Sequence, residues 1–379
     1  MTSGKPLLPY TDQGYSGETH KREDFHDVTA NAAMRLHTAY NRTSKRTKRS
    51  RHEDDEERLA EIKEEIIQCS YRFTRPRPHR FDKGNGKYRT TWQPAFWDQV
   101  VQTALNKAIS EIVEESEVLP EGSIAGRPGK KGTPELVRNL LEVANTYDDP
   151  ATLIMAKLDL KEAFDTIGHR EIHKSLTKLF EREFATWVMR ISKAAGMKSQ
   201  GVPQGVPTSP LLFNIGTAAI LNRIGRYDPQ GFQYFDDFTL IADSRKRLAK
   251  GVRKVEATAQ KLEMKLNRAK TEDGEVGEMA LFGFKLYTSE VSGIPALTAT
   301  IDEGVSARVL RKTKEKLYAA DSAGKAKTEL WQCFRGWVSH YGDPVPLDEA
   351  EDKIRRWMRP AIRASRWSSA QVEPEHWHL

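Results

Sequence analysis

The run Gly231-Phe232-Gln233-Tyr234-Phe235-Asp236-Asp237-Phe238-Thr239-Leu240-Ile241-Ala242 constrains this chain more than any other. Two adjacent carboxylates sit among apolar, β-prone residues. Burying carboxylates without partners is costly, and water would normally be preferred. A divalent cation removes the conflict. Residues 232–242 read as a hairpin with the Asp pair at its turn. A third carboxylate, Asp159, ends the apolar stretch Leu153-Ile154-Met155-Ala156-Lys157-Leu158, which reads as a buried strand over 152–158. Asp236 follows it by 77 positions (236 − 159). A sheet that sets that strand end beside that turn would converge three acids. Hard oxygen ligands suit Mg²⁺, with Mn²⁺ as the alternative. Three acids able to hold two such ions are what phosphoryl transfer requires. A lone strand-end Asp would read as a loop cap; the acid pair in this setting argues otherwise.

The chain has 379 residues, so two or three domains or subdomains are expected. Lys and Arg number 60 against 53 acids, a formal charge of +7, which favours a polyanionic partner. Cys69 and Cys333 are the only cysteines, too few for a disulfide framework or a Cys-rich zinc site, so a reducing compartment is expected. No apolar run approaches the roughly 20 residues of a membrane span, and no signal-peptide core follows Met1 to Pro6. The expectation is a soluble cytoplasmic protein with no membrane partner.

Residues 1 to about 25 are polar and expected to be loosely ordered. Asn41 to Arg51 carries six basic residues and no acid, either a template-contacting arm or a solvated loop. The acids from Glu53 to Glu57 suit the first turn of a helix, with Leu59, Ile62, Ile66 and Ile67 following at helical spacing. Asn85-Gly86 reads as a hairpin tip. Helices are expected over Trp97 to Val113, Pro134 to Val143, most of Lys161 to Leu179, Leu211 to Ile224, and along Val252, Val255, Ala259, Leu262 and Leu266. Leu281 to Tyr287 reads as a short strand and the remainder as helix. This order gives an α+β centre flanked by helical pieces.

Tyr-x-Asp-Asp at 234–237 resembles the signature of reverse transcriptases, and further blocks stand in the family's order. Asp159-Leu160-Lys161-Glu162-Ala163-Phe164-Asp165 resembles the palm block with the first catalytic aspartate. Gly201-Val202-Pro203-Gln204-Gly205-Val206-Pro207-Thr208-Ser209-Pro210 resembles the next block. Leu266-Asn267-Arg268-Ala269-Lys270 resembles the lysine segment, and Leu281-Phe282-Gly283-Phe284 the primer grip. Lys83 to Arg89, Asp98 to Leu105 and Gly126 to Lys130 are similar to the fingers of bacterial group II intron-like enzymes, a branch shared with retron-like and defence-associated ones. Phe334 to Tyr341 looks like the thumb helix of that branch. The resemblance covers roughly residues 71–345.

It implies a right-hand polymerase fold of α+β class. An N-terminal extension with basic arm and helix would occupy 1–70, fingers 71–150, palm with an antiparallel sheet 151–290, and helical thumb with C-terminal tail 291–379. It implies an RNA-directed DNA polymerase whose two Mg²⁺ ions are held by Asp159, Asp236, Asp237 and the backbone carbonyl of Leu160. Lys83 and Arg89 would clamp the incoming triphosphate. Phe164 would lie under the ribose and exclude a 2′-hydroxyl, and Gln204 would meet the nucleotide and templating base. Lys270 matches a position proposed to protonate the leaving pyrophosphate. Phe282 and Gly283 would support the primer end, and Arg127 would touch template phosphates. Each also has a plainer reading: a solvated basic hairpin, a core ring, a turn amide or a helix-end lysine. Trp337 and Tyr341 read as thumb core.

The implied partners are an RNA template, a DNA or RNA primer and dNTPs. A dedicated non-coding RNA and an accessory protein would join them in a phage-defence or retron-like system. No ribonuclease H domain is expected after the thumb. Phe235 departs from the family, where smaller side chains are commoner, and Arg89 to Pro94 lacks the usual apolar pattern. Two rivals stay open. One is an untemplated or RNA-synthesising polymerase on the same palm, which Phe164 opposes. The other is a non-catalytic, maturase-like RNA-binding scaffold, which the three acids oppose because they weaken a phosphate-binding surface.

Overall fold

The computed structural model describes residues 25–372, apart from 85, 131, 225–228, 292 and 368. The expectation for the N-terminal stretch before residue 25 lies outside them, as does the hairpin-tip residue Asn85. Helices α1 (Phe25–Met34), α2 (Leu36–Thr47) and α3 (Asp55–Ile67) come first. The stretch expected as a basic arm or loop is largely the second half of α2. Its end is tied down by Asp55, which accepts two 2.8 Å hydrogen bonds from Arg49 and one of 2.6 Å from Tyr40. The Arg49 guanidinium holds that carboxyl well below the usual range.

Strands β1 (Arg77–Gly84) and β2 (Lys87–Gln93) form an antiparallel hairpin. Of the stripe that helical spacing predicts for α4 (Phe96–Glu115), Val100, Val101, Ala104, Leu105 and Ala108 are buried and Trp97 is half-buried. After α5 (Thr133–Ala144) comes β3 (Ile154–Lys161), the central strand. Four short helices follow, α6 (Ala163–Thr166), α7 (His169–Leu176), α8 (Arg182–Val188) and α9 (Arg190–Ala194). The long α10 (Ser209–Ile224) leads to the hairpin β4 (Gln230–Tyr234) and β5 (Asp237–Ala242). Helix α11 (Arg245–Lys261) then precedes the short strands β6 (Lys265–Leu266) and β7 (Glu272–Glu275). The sheet order is β4-β5-β3-β6, with β7 also pairing β3, and every pairing is antiparallel.

Alternation along β3 divides the interior in two. Ile154, Ala156 and Leu158 join a core with Leu240 of β5 and Val255 of α11. Met155 joins another with Ile241 of β5 and Leu136 of α5. By the same parity, Asp159 and Asp237 leave the sheet on the side away from α11. That helix lies close because of Gly251, where an added Cβ would stand 2.4 Å from Pro229 Cγ and 3.1 Å from Leu240 Cδ1.

Strands β8 (Ala280–Leu281), β9 (Phe284–Val291) and β10 (Ile294–Ile301) build a second antiparallel sheet. Helix was expected beyond Tyr287. Instead Leu297, Ala299 and Ile301 point inward at every second position, a period of two that fits a strand. Helices α12 (Ser306–Ala319), α13 (Ala323–Tyr341) and α14 (Leu347–Arg363) pack together after it. Tyr341 is fully buried, its ring 4.9 Å from that of Phe284. Among the described residues no helix is long and apolar enough to cross a membrane.

Candidate active site

The turn joining β4 to β5 holds two residues, Phe235 and Asp236, and Tyr234 pairs with Asp237 across it. Both acids were expected in the turn, but Asp237 opens β5. Phe235 has φ +54°, an uncommon conformation for a bulky side chain. Buried Gln233 stabilises it: Nε2 donates to the Phe235 carbonyl at 2.9 Å and to Thr217 Oγ1 at 2.8 Å. The Gln233 main chain also pairs with the loop before α5, donating to the Gly122 carbonyl and accepting from Ile124 N–H. Sequence reasoning did not single out Gln233; a neutral amide inside an apolar strand was the available signal.

Asp159 and Asp237 are register partners on adjacent strands. Their side chains therefore leave one face of the sheet side by side. Leu160 N–H donates to the Asp236 carbonyl at 3.1 Å and ties the turn to β3. Asp159 has two partners of its own. Lys270 Nζ lies 2.8 Å from Oδ1, and Asn267 Nδ2 donates to Oδ2 at 2.8 Å. Asn267 sits inside the lysine segment, yet sequence reasoning gave it no role.

Burial pushes Asp237 up to about 6, and repulsion from Asp236 and Asp159 adds to it. Asp236 is raised chiefly by burial, with Asp159 adding and Arg89 and Lys270 opposing. Lys270 is raised chiefly by its hydrogen bond to Asp159. The site is therefore short of positive charge. Its donors are hard carboxylate oxygens of the kind that suit a small divalent cation. As they stand, no three acidic, His or Cys side chains among the described residues gather into a metal-holding group. Both Asp159 oxygens are turned to Lys270 and Asn267 instead. The pairing of β3 with β5 thus brings two of the three acids side by side without drawing all three around one point.

Other sequence-predicted residues fall at varied distances from this centre. Phe164, on α6, stacks on Phe213 of α10 and meets Phe235 edge-on. Arg89 is exposed on β2, near enough to Asp236 to favour its charged form. The side chain of Lys83 lies outside the described residues. The Gln204 carbonyl accepts from Trp92 N–H at 2.7 Å, which pins its loop to β2. Phe282 and Gly283 form the β8–β9 turn with φ +53° and +88°. The Phe282 ring lies 5.4 Å from that of Tyr234.

Arg127 is turned into the protein. Template contact was expected, but its guanidinium grips both carboxylate oxygens of Glu114 and donates to the Pro120 and Ser123 carbonyls. With its side chain 10% exposed, four of its five N–H donors are engaged inside the protein.

Residues 81–286 match the family model described as reverse transcriptase (RNA-dependent DNA polymerase). The chain belongs to this family. Its helices and antiparallel sheets make up a right-hand polymerase fold. Over 130 residues, this reverse transcriptase-family chain is 33% identical to the retrovirus-related Pol polyprotein from type-1 retrotransposable element R2 of Nasonia vitripennis. That match covers 28% of the chain and 13% of the relative. Protein YkfC of Escherichia coli strain K12 is 28% identical over 174 residues, 44% of each protein. The chain thus spans less than half the length of these curated relatives. A solved structure of apo telomerase from Candida tropicalis, truncated from its C-terminal domain, aligns with a TM-score of 0.47. It is 15% identical and covers 61% of this chain and 55% of that one.

Proposed function

We propose that this chain is an RNA-directed DNA polymerase that extends a primer 3′-hydroxyl with dNTPs on an RNA template. One observation carries the reading: Asp159 and Asp237 face out side by side from β3 and β5, with Asp236 on the adjoining turn. Asp159, Asp236, Asp237 and the Leu160 carbonyl would hold Mg²⁺, or Mn²⁺ in its place. Held there, such ions would supply the electrostatic help that acidifies a primer hydroxyl and stabilises a leaving pyrophosphate.

The chain's own residues do the rest. Lys270 has a long side chain, 66% exposed, that is free to turn from Asp159 and give a proton to the pyrophosphate. Arg89 and Lys83 neutralise the triphosphate. Phe164 lies beneath the sugar and excludes a 2′-hydroxyl. The Gln204 loop, held against β2, meets the nucleotide and its templating base, while Phe282 and Gly283 support the primer end. In this reading residues 1–70 are an extension, 71–150 fingers, 151–290 palm, and 291–379 thumb and tail. The setting we propose is the cytoplasm of a bacterium, in a phage-defence or retron-like system with a dedicated non-coding RNA and an accessory protein. The likeness of the fingers and thumb blocks to group II intron-like enzymes supports it.

Asp236→Asn is expected to abolish Mg²⁺-dependent incorporation of labelled dNTP on a primed RNA template. Its melting temperature and RNA affinity should stay near wild type. Normal extension by that variant rejects the assignment.

A further inference from the structure

The side of the sheet opposite the acids carries its own concentration of charge. Helix α11 has seven basic residues and a single acid, Glu256, which is paired with Arg268 at 2.6 Å. Its inward stripe of Leu248, Gly251 and Val255 is buried. Lys246, Lys250, Arg253, Lys254 and Lys261 recur at i, i+4, i+7, i+8 and i+15 and form an outward stripe about 22 Å long at 1.5 Å per residue. Between this stripe and the end of α10 runs a groove of about 440 Å³, lined by Arg223, Lys250, Arg253, Lys254, Ala257 and Thr258.

Lys254 spans the groove floor, donating to the Ile224 carbonyl at 2.9 Å. Arg223, Lys250 and Arg253 are exposed and have no acidic partner among the described residues. Three unneutralised cations in one groove repel one another, and a polyanion relieves them. Among the described residues the lining has no aromatic ring on which an unpaired base would stack, which favours a duplex backbone over a single strand.

We propose that this groove is a second nucleic-acid site, which takes the phosphates of a base-paired RNA segment held on the opposite side of the sheet from the acids. The choice of RNA over DNA rests on the polymerase reading; the phosphate site does not.

The test uses the full chain and a fluorescent RNA hairpin of about 16 base pairs, the span of a typical duplex-binding module. Excess unlabelled short primed template keeps the catalytic side filled. The probe variant is Arg223→Gln/Lys250→Gln/Arg253→Gln, with Lys254 retained because it satisfies the Ile224 carbonyl. Expected are at least about a tenfold loss of hairpin affinity and a log K versus log salt slope shallower by about 2.7. Extension of the short primed template should not change. An unchanged affinity and slope overturns the groove. Equal displacement of the hairpin by a DNA duplex of the same length overturns RNA as its occupant. Should the wild-type chain incorporate no nucleotide while the variant still loses the hairpin, the groove stands and the polymerase reading falls.

Discussion

Phe164 lies flat on Phe213, with ring centroids 4.3 Å apart and planes 9° from parallel. Phe235 meets Phe164 edge-on at 5.9 Å, so the ring is supported from two sides. In the gating role proposed above, a ring held this way would resist swinging aside for a bulkier sugar.

Phe164→Val is therefore expected to raise rNTP use relative to dNTP by about tenfold to a hundredfold. Phe235→Ala should give a smaller rise, because Phe213 still backs the ring. Single-nucleotide extension at matched concentrations measures both. An unchanged ratio in Phe164→Val removes the gating role.

Lys270→Ala should lower the maximal incorporation rate by roughly a hundredfold if its proton reaches the pyrophosphate. Its effect on stability should stay within about 0.5 kcal/mol, since the pair with Asp159 is largely exposed on the lysine side. Pre-steady-state incorporation and urea unfolding separate the two. A full-rate variant rejects the general-acid role.

Arg127→Ala should destabilise the protein by about 2–4 kcal/mol, because Glu114 and two loop carbonyls lose their donors together. The salt dependence of RNA binding should not change. A slope shallower by about one in the variant would restore a template contact.

The raised pKa of Asp237 makes a signed prediction. Its folded value of about 6 exceeds the ordinary value of 3.8, so the folded state binds the proton more tightly. That contribution to stability is complete below the lower value and is lost as pH rises through the upper one. In EDTA, the stability difference between wild type and Asp237→Asn should therefore shift against wild type by about 1–2 kcal/mol between about pH 4 and 7. Added Mg²⁺ should flatten the curve. A flat difference in EDTA contradicts the burial argument.

Gly205→Ala tests the junction of the Gln204 loop with β2. Gly205 has φ +95°, and an added Cβ would stand 3.0 Å from the Trp92 carbonyl oxygen. A loss of about 1–3 kcal/mol is expected, with a higher KM for dNTP. Wild-type KM in the variant would show that the loop does not position the nucleotide.

What the amino-acid order reveals depends on how local the cause is. Strands β3 and β5 were legible because fully buried strands read as unbroken apolar runs, and an acid at the end of each stands out. Helix α4 was legible from its stripe. Strand β10 was missed because Thr and Ala alternate only weakly and Pro295 obscures the pattern. Gln233 and Asn267 are neutral amides whose importance comes from the groups they meet, Phe235 and Asp159, which are fixed only after folding. The partners of Arg127 were hidden for the same reason. An arginine in a glycine-rich loop looks available until the end of α4 brings Glu114 beneath it.

The two-sidedness of β3 has a genetic consequence. A one-residue slip against β5 would carry the Asp159 carboxylate into the helix-packed interior and turn a leucine out in its place. Composition would barely change, and every individual residue would remain permissible in a strand. Single-codon insertions or deletions within Ile154 to Leu158 should thus lower activity far more than conservative apolar substitutions in the same stretch.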